Sequence, residues 1–178
     1  HVMELRPEIA TFDAGTFNWM PKMVFENSPQ FLTKLGTMLT QENIKPECEV
    51  FDSGMLHIAE YYAKQGVIRA PLHIQFVLGV LGGAQATVEN LVHLKNKLPE
   101  GYTWAALGIG ATHLPMLYAT LALGGHLRVG LEDNLYFAHG QLATNEMLVQ
   151  RARQAVELYG REVATPAEAR KIYGLREA

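Results

Sequence analysis

One acidic segment in the second half of the chain carries the residue types best suited to catalysis. It runs from Arg128 to Asn134 and reads RVGLEDN. If this segment ends a strand, Arg128, Gly130 and Glu132 share one face and Asp133 begins the loop. An arginine and a carboxylate in a protein interior must be paired, because lone buried charges are costly. A structural ion pair is one interpretation. The one we favour is a metal-binding carboxylate beside a carboxylate that acts as a base.

The elements that would position this segment alternate along the chain. Apolar runs and helical periodicity predict strands at about 8–12, 47–51, 72–80, 102–109 and 126–131, and helices at about 28–43, 54–65, 84–97, 114–123, 145–159 and 166–173. This alternation predicts an α/β fold with parallel strands and right-handed crossovers. A doubly wound open sheet and a (β/α)8 TIM barrel both fit it. A closed barrel needs about 250 residues, so we interpret residues 1–178 as one domain too short to close a barrel alone.

Further polar residues lie where other predicted strands end. In parallel α/β folds the functional site lies at the carboxyl ends of the strands. Thr11 ends the first strand, Glu49 lies in the second, and Gly108 and Gly110 end the fourth. The sequence leaves a structural and a functional role for Glu49 equally open. Tight turns would explain the two glycines, and so would phosphate binding, which barrels often place near their last two strands.

The histidines offer no metal site by themselves. Neither His-x-His nor His-Glu-x-x-His occurs in the chain. We interpret His73 and His126 as structural residues near strand starts, whereas His113 follows a strand end and could reach a ligand. If Glu132 binds a metal, most of the other ligands must come from outside these 178 residues. The single cysteine, Cys48, lies in an apolar strand and is expected to be buried and inert.

Composition argues against several classes of protein. The chain has 178 residues, of which 48% are hydrophobic, and a formal net charge of -3. This balance gives no sign of nucleic acid or an anionic membrane as a partner. No apolar run approaches the roughly 20 residues of a membrane span, and Glu4, Arg6 and Glu8 interrupt any signal-peptide core. One cysteine cannot form an internal disulfide, so a cytoplasmic location is expected.

Five stretches taken together resemble one family. They read RPEIAT at 6–11, KPECEVFD at 45–52, HIQFVLG at 73–79, GGHLRVGLEDN at 124–134 and ATPAEAR at 164–170. In order and spacing they are similar to the β-keto acid cleavage enzyme family, which includes the 3-keto-5-aminohexanoate cleavage enzymes. The GGHxRxGxEDN pattern is the most specific of the five. The likeness covers nearly the whole chain.

The resemblance implies a fold and a reaction. The family fold is a (β/α)8 TIM barrel, of which this chain would supply about strands four to eight. Family members depend on a divalent metal, usually Zn²⁺, and take acetyl-CoA as co-substrate. They condense a β-keto acid with it to give acetoacetate and a new acyl-CoA. They are commonly homotetramers.

The resemblance also implies roles for individual residues. Glu132 matches the family's metal-binding glutamate, and Asp133 matches its general base. Arg128 matches the arginine that positions this base and the substrate charge. Glu49 and Thr11 match residues that line the substrate pocket. The family's two metal-binding histidines would lie in an N-terminal part that is absent from this chain.

Two other functions stay open on the sequence alone. A metal-dependent aldolase or lyase that does not use CoA would need the same carboxylates. A truncated, non-catalytic homologue would only bind ligand or assemble. One departure from the family pattern is Ala111, where the family often has arginine. The choice of β-keto acid and the affinity for CoA therefore stay open as well.

Overall fold

A five-stranded parallel sheet forms the centre of the computed structural model, which describes residues 2–176. In chain order the strands are β1 (Ile9–Asp13), β2 (Phe17–Trp19), β3 (Met23–Phe25), β4 (Lys45–Val50), β5 (His73–Leu78), β6 (Thr103–Gly108), β7 (His126–Leu127), β8 (Tyr136–Ala138) and β9 (Gln141–Leu142). The central sheet has the order β1-β4-β5-β6-β7, and every pairing in it is parallel. The predicted α/β fold with parallel strands is confirmed.

Helices connect the strands of the sheet. They are α1 (Val2–Leu5), α2 (Pro29–Gln41), α3 (Ser53–Lys64), α4 (Val88–Lys95), α5 (His113–Leu123), α6 (Asn145–Leu158) and α7 (Pro166–Tyr173), with a 3-10 turn at Gly110–Thr112. The side chains of Ser28 and Thr165 each accept an N–H from three residues further on, which fixes the starts of α2 and α7. Glu168 completes the predicted capping box of α7. Within residues 2–176 no helix has the length and apolar character of a membrane span.

The two faces of the sheet differ in chemistry, and β4 shows the difference most clearly. Cys48 and Val50 are fully buried on the face that α2 and α3 cover, whereas Glu47 and Glu49 alternate with them on the other face. We call this second face the polar face. Burial raises the pKa of the Cys48 thiol to about 12. The prediction of an inert, buried thiol is therefore confirmed.

Most predicted boundaries agree with the structure to within a few residues, and the fifth sheet strand is the exception. The prediction extended this strand to Leu131, but β7 contains only His126–Leu127. Beyond β7 the chain folds into a turn, in which the Asp133 N–H donates to the Gly130 carbonyl over 3.2 Å. The strand therefore ends four residues earlier than predicted.

Two antiparallel hairpins, β2–β3 and β8–β9, were not predicted. They follow β1 and β7, and their strands have only two or three residues, too few to show an alternating pattern. Phe17 anchors the first hairpin by stacking on Phe51 with ring centroids 4.1 Å apart. Gly82 lets the loop after β5 pack closely against β2, because a Cβ at that position would lie 1.8 Å from the Asn18 carbonyl oxygen.

Candidate active site

Arg128 is the centre of a charged cluster on the polar face. Its guanidinium donates to three carboxylates, with 3.0 Å from Nη1 to Glu49 Oε1, 2.9 Å from Nη2 to Glu132 Oε2 and 3.1 Å from Nε to Asp133 Oδ2. Thr11 extends the cluster, because its hydroxyl donates to the same Glu49 oxygen over 3.1 Å. The structure thus brings together the five side chains that the sequence singled out for acid–base, metal and substrate contacts. We call them the Arg128 cluster.

The turn that carries the two adjacent carboxylates is fixed by its neighbours. The Gly110 N–H donates to the Asp133 carbonyl over 2.8 Å, and the Leu131 N–H donates to Asn145 Oδ1 over 2.9 Å. Asn134 is 6% exposed, and its side-chain amide donates over 2.6 Å to a carbonyl of the hairpin that follows. Three separate contacts therefore hold the turn, so its carboxylates meet Arg128 in a defined geometry.

The Arg128 cluster contains more negative than positive charge. One guanidinium faces three carboxylates, which is an excess of two negative charges when all are ionised. Burial raises the pKa of the Asp133 carboxyl, and the charge of Arg128 opposes this rise. A carboxylate whose pKa is raised accepts a proton more readily than an ordinary one, which suits general acid–base work.

The two adjacent carboxylates occupy different environments. The side chain of Glu132 is 82% exposed, whereas that of Asp133 is 9% exposed. Arg128 contacts Glu132 through a single oxygen, Oε2, and contacts both oxygens of Asp133. Glu132 can therefore accept a second partner, while Asp133 is enclosed and oriented by its arginine.

The exposed Glu132 carboxylate fits one position in the coordination shell of a divalent cation. Carboxylate oxygens are ligands for Zn²⁺ and for harder divalent ions, and the excess negative charge around Arg128 favours a cation. Within residues 2–176, no group of three or more His, Cys, Asp or Glu residues is arranged to hold a metal. Glu132 can thus serve as one ligand, and a complete site needs additional donors.

Asp13 lies beside the Arg128 cluster, although no sequence motif predicts that it belongs to the site. It pairs in register with Glu49 across β1 and β4, so the two carboxylates lie side by side on the polar face. Burial, and next the charge of Glu49, raise the pKa of Asp13 to about 6. Its position at a strand end is visible in the sequence. The register that sets it beside Glu49 could be learned only from the structure.

Gly108 and Gly110, predicted to bind a cofactor phosphate, also have structural reasons to be glycine. A Cβ on Gly108 would lie 2.6 Å from the Thr112 carbonyl oxygen and 2.7 Å from Met116 Cγ, so this close packing requires a glycine. Gly110 has a φ of 60°, in the left-handed region that favours glycine. Its N–H already donates to Asp133. Phosphate binding by these glycines stays a prediction.

His73 and His126 are the first residues of β5 and β7, and both lie nearer the amino ends of the strands than Arg128 does. His73 is 2% exposed, its Nδ1 lies 2.9 Å from the Thr103 hydroxyl, and burial lowers its pKa to about 4. The ring of Tyr173 packs against both histidines, with centroid distances of 4.4 and 5.2 Å. These contacts support the structural interpretation of the two residues, whose side chains also line the cavity described next. His113 lies instead where α5 begins, after β6.

A cavity of about 700 Å³ borders the Arg128 cluster. Polar-face side chains such as Glu47, Gln75 and Arg128 line one side, and apolar side chains of α6 such as Val149 and Val156 line another. Cavities of this size and mixed lining accommodate small molecules. Arg128 is the one member of the Arg128 cluster that lines this cavity, so the cluster borders it through the guanidinium side of Arg128 alone.

Comparison with known proteins gives a consistent result. A family model described as beta-keto acid cleavage enzyme matches residues 1–175. A 3-keto-5-aminohexanoate cleavage enzyme of Fusobacterium nucleatum is 43% identical, covering 98% of this chain and 64% of its own. A 3-dehydrocarnitine:acetyl-CoA trimethylamine transferase of Rhizobium meliloti is 38% identical, covering 96% and 57%. A 3-oxoadipate:acetyl-CoA acetyltransferase of Cupriavidus necator is 39% identical, covering 98% and 62%. The chain therefore spans about 57 to 64% of the length of these relatives.

Solved structures with the same fold include those of ObcA. The apo structure of ObcA matches with a TM-score of 0.81 at 18% identity, covering 95% of this chain and 44% of that one. The binary complex of ObcA with oxaloacetate matches with a TM-score of 0.80 at 20% identity, covering 96% and 46%. This likeness supports the fold prediction: the chain is a part of a TIM barrel, about half of the neighbour's length.

Proposed function

We propose a function that starts from one finding: the chain belongs to the beta-keto acid cleavage enzyme family. In this proposal the intact protein condenses a β-keto acid with acetyl-CoA and releases acetoacetate and a new acyl-CoA. Relatives named as acetyl-CoA transferases support the co-substrate. The observation that carries the proposal is the enclosed Asp133 carboxylate, oriented by Arg128 beside the exposed Glu132.

In the proposed reaction Asp133 is the general base and Glu132 one ligand of a divalent metal, which we take to be Zn²⁺. When bound, the metal would polarise the keto and carboxylate oxygens of the substrate. Asp133 accepts the proton from the carbon between the keto and carboxylate groups. This carbon attacks the acetyl-CoA carbonyl, and the CoA thiolate leaves. The thiolate then attacks the original keto carbon, the carbon–carbon bond to it breaks, and Asp133 returns the proton to give acetoacetate.

The other members of the Arg128 cluster have supporting roles in this proposal. Arg128 orients Asp133 and balances negative charge that develops on substrate oxygens. Glu49 and Thr11, joined by a hydrogen bond of 3.1 Å, present polar atoms to the substrate. Gly108 and Gly110 would border the CoA phosphates, in line with the phosphate sites that barrels place near their last strands.

The proposal also covers what lies outside the described residues. Because the chain spans about 57 to 64% of its relatives, we propose that residues 1–178 form the last five β/α units of one barrel domain. The remaining units would supply further metal ligands, including a histidine pair. A cytoplasmic homotetramer is the proposed working form.

The experiment that tests the proposal is an Asp133→Asn variant of the intact protein. We expect acetoacetate formation from a β-keto acid and acetyl-CoA to fall roughly 10²- to 10⁴-fold, the usual contribution of a general base, while bound metal measured by mass spectrometry is retained. Glu157→Gln, which changes an exposed partner of Arg153, is the matched control. Unchanged turnover in Asp133→Asn would remove Asp133 as the base. Turnover that does not require acetyl-CoA would favour a metal-dependent aldolase or lyase instead.

A further inference from the structure

We infer that Arg151 and His113 are positioning residues, which hold the loop of Gly110 and, through it, the turn of Asp133. None of the motifs that suggested the function includes Arg151. The inference rests on the proposed function, because it concerns the placement of the proposed base. It depends on a continuous series of short contacts between α6 and this turn.

His113 is the middle of the series, and its hydrogen bonds define its tautomer. Its Nδ1 lies 2.7 Å from the Gly110 carbonyl oxygen. Since a carbonyl can only accept, Nδ1 carries the proton. The other ring nitrogen, Nε2, then accepts from Arg151 Nη2 at 2.9 Å. The imidazole therefore links a backbone loop on one side to a helix side chain on the other.

Arg151 connects the His113 side chain to the β8–β9 hairpin. Its Nη1 donates to the Phe137 carbonyl over 2.7 Å, and its guanidinium lies 4.3 Å from the centroid of the Phe137 ring. Burial lowers the pKa of Arg151, and its Nε is a buried donor without a hydrogen-bond partner among the described residues. A buried donor of this kind lowers the stability of the folded state. Stability alone is thus a poor reason for an arginine here, and the two loops that it joins supply a better one.

The series ends at the proposed base. The Gly110 N–H donates to the Asp133 carbonyl over 2.8 Å, so the same peptide unit that His113 holds also holds the turn. Gly110 is in the left-handed region, with a φ of 60° and no atom within 4 Å of a Cβ position. A glycine in open space is conformationally free unless its polar groups are engaged. Arg151 and His113 provide that restraint.

The test uses the intact protein with four variants. Arg151→Met removes both donated bonds, and Arg151→Lys keeps the charge but not the planar fork. His113→Asn keeps a donor for the Gly110 carbonyl and loses the acceptor for Arg151. Gln154→Met, three residues along on an exposed part of α6, is the matched control. A misplaced base slows the chemical step and leaves binding intact. We expect kcat to fall about tenfold in Arg151→Met with KM within about twofold, partial recovery in Arg151→Lys, and no change in Gln154→Met.

Hydrogen exchange separates this inference from the proposed function. In Arg151→Met, amides of residues 109–113 and 131–135 should exchange faster than in Gln154→Met. If the wild type shows no acetyl-CoA-dependent turnover, the proposed function fails, and the exchange result decides the positioning role by itself. Unchanged exchange in these two segments overturns the inference. In an active enzyme, a kcat per folded molecule that stays at the wild-type value in Arg151→Met also overturns it, even if the variant unfolds at a lower temperature.

Discussion

The two ends of the polar face hold their buried polar groups in different ways. At the carboxyl end of the strands, Arg128 faces three carboxylates and leaves an excess of negative charge. At the amino end, His73 pairs with the Thr103 hydroxyl and packs on Tyr173, and burial holds its pKa at about 4. One end holds three carboxylates around a single guanidinium, whereas at the other end the His73 ring is neutral near physiological pH and one carboxyl group, that of Glu47, lies beside it.

This difference separates the candidate functional site from a structural contact. Neutral side chains that satisfy each other's hydrogen bonds can be buried at little cost. Charges in excess of their partners raise the free energy of the folded state unless a ligand, a cation or a proton compensates them. The end with excess negative charge is therefore the one suited to binding a cation and to proton transfer. The following predictions test that contrast.

The largest expected effect comes from replacing Arg128, which contacts all three carboxylates of the charged end. Arg128→Met leaves Glu49 and Asp133 without their cation, so kcat/KM of the intact protein should fall by about 100-fold or more. Arg128→Lys keeps the charge but cannot reach three carboxylates at once, and it should recover only part of the loss. Steady-state kinetics decide the matter. Wild-type kcat/KM in Arg128→Met would mean that the cluster is merely structural.

A smaller effect, on stability alone, is expected at the neutral end. His73→Leu removes the partner of the Thr103 hydroxyl in a buried position, so the free energy of unfolding should fall by about 1–2 kcal/mol. Because the substitution leaves the Arg128 cluster untouched, kcat should stay within about twofold of wild type. Urea unfolding and kinetics on the same samples measure the two quantities. A large loss of kcat without a loss of stability would erase the contrast between the ends.

The smallest effect concerns Asp13, whose pKa is raised from 3.8 to about 6. Between these pH values the folded state binds more protons than the unfolded state, so stability falls as the pH rises through this window. Asp13→Asn removes the penalty. In metal-free protein it should be more stable than wild type by about 1 kcal/mol near neutral pH, after allowance for solvent screening, and the gain should shrink near pH 4. Thermal unfolding across this range tests the sign. A gain that is independent of pH would contradict the assignment.

Sequence patterns were sufficient for the regular parts of the fold, and they singled out the charged residues that the structure brings together around Arg128. Alternating apolar runs predict the parallel sheet, and the capping residues of α7 predict its start at Pro166. The early end of β7 was missed because the apolar run continues through the turn that replaces the strand. The neighbourhood of Asp13 and Glu49 depends on strand register, and the contact of Arg151 with His113 joins residues 38 positions apart. Neither leaves a local signal in a single sequence.

The burial of Cys48 has a practical consequence. This thiol is the only one in the 178-residue chain, and it lies on the strand that carries Glu49, facing away from the Arg128 cluster. A thiol-directed dye can modify it only after β4 separates from its covering helices. The rate of dye incorporation therefore measures how fast this strand opens. The labelling leaves the charged side chains unmodified.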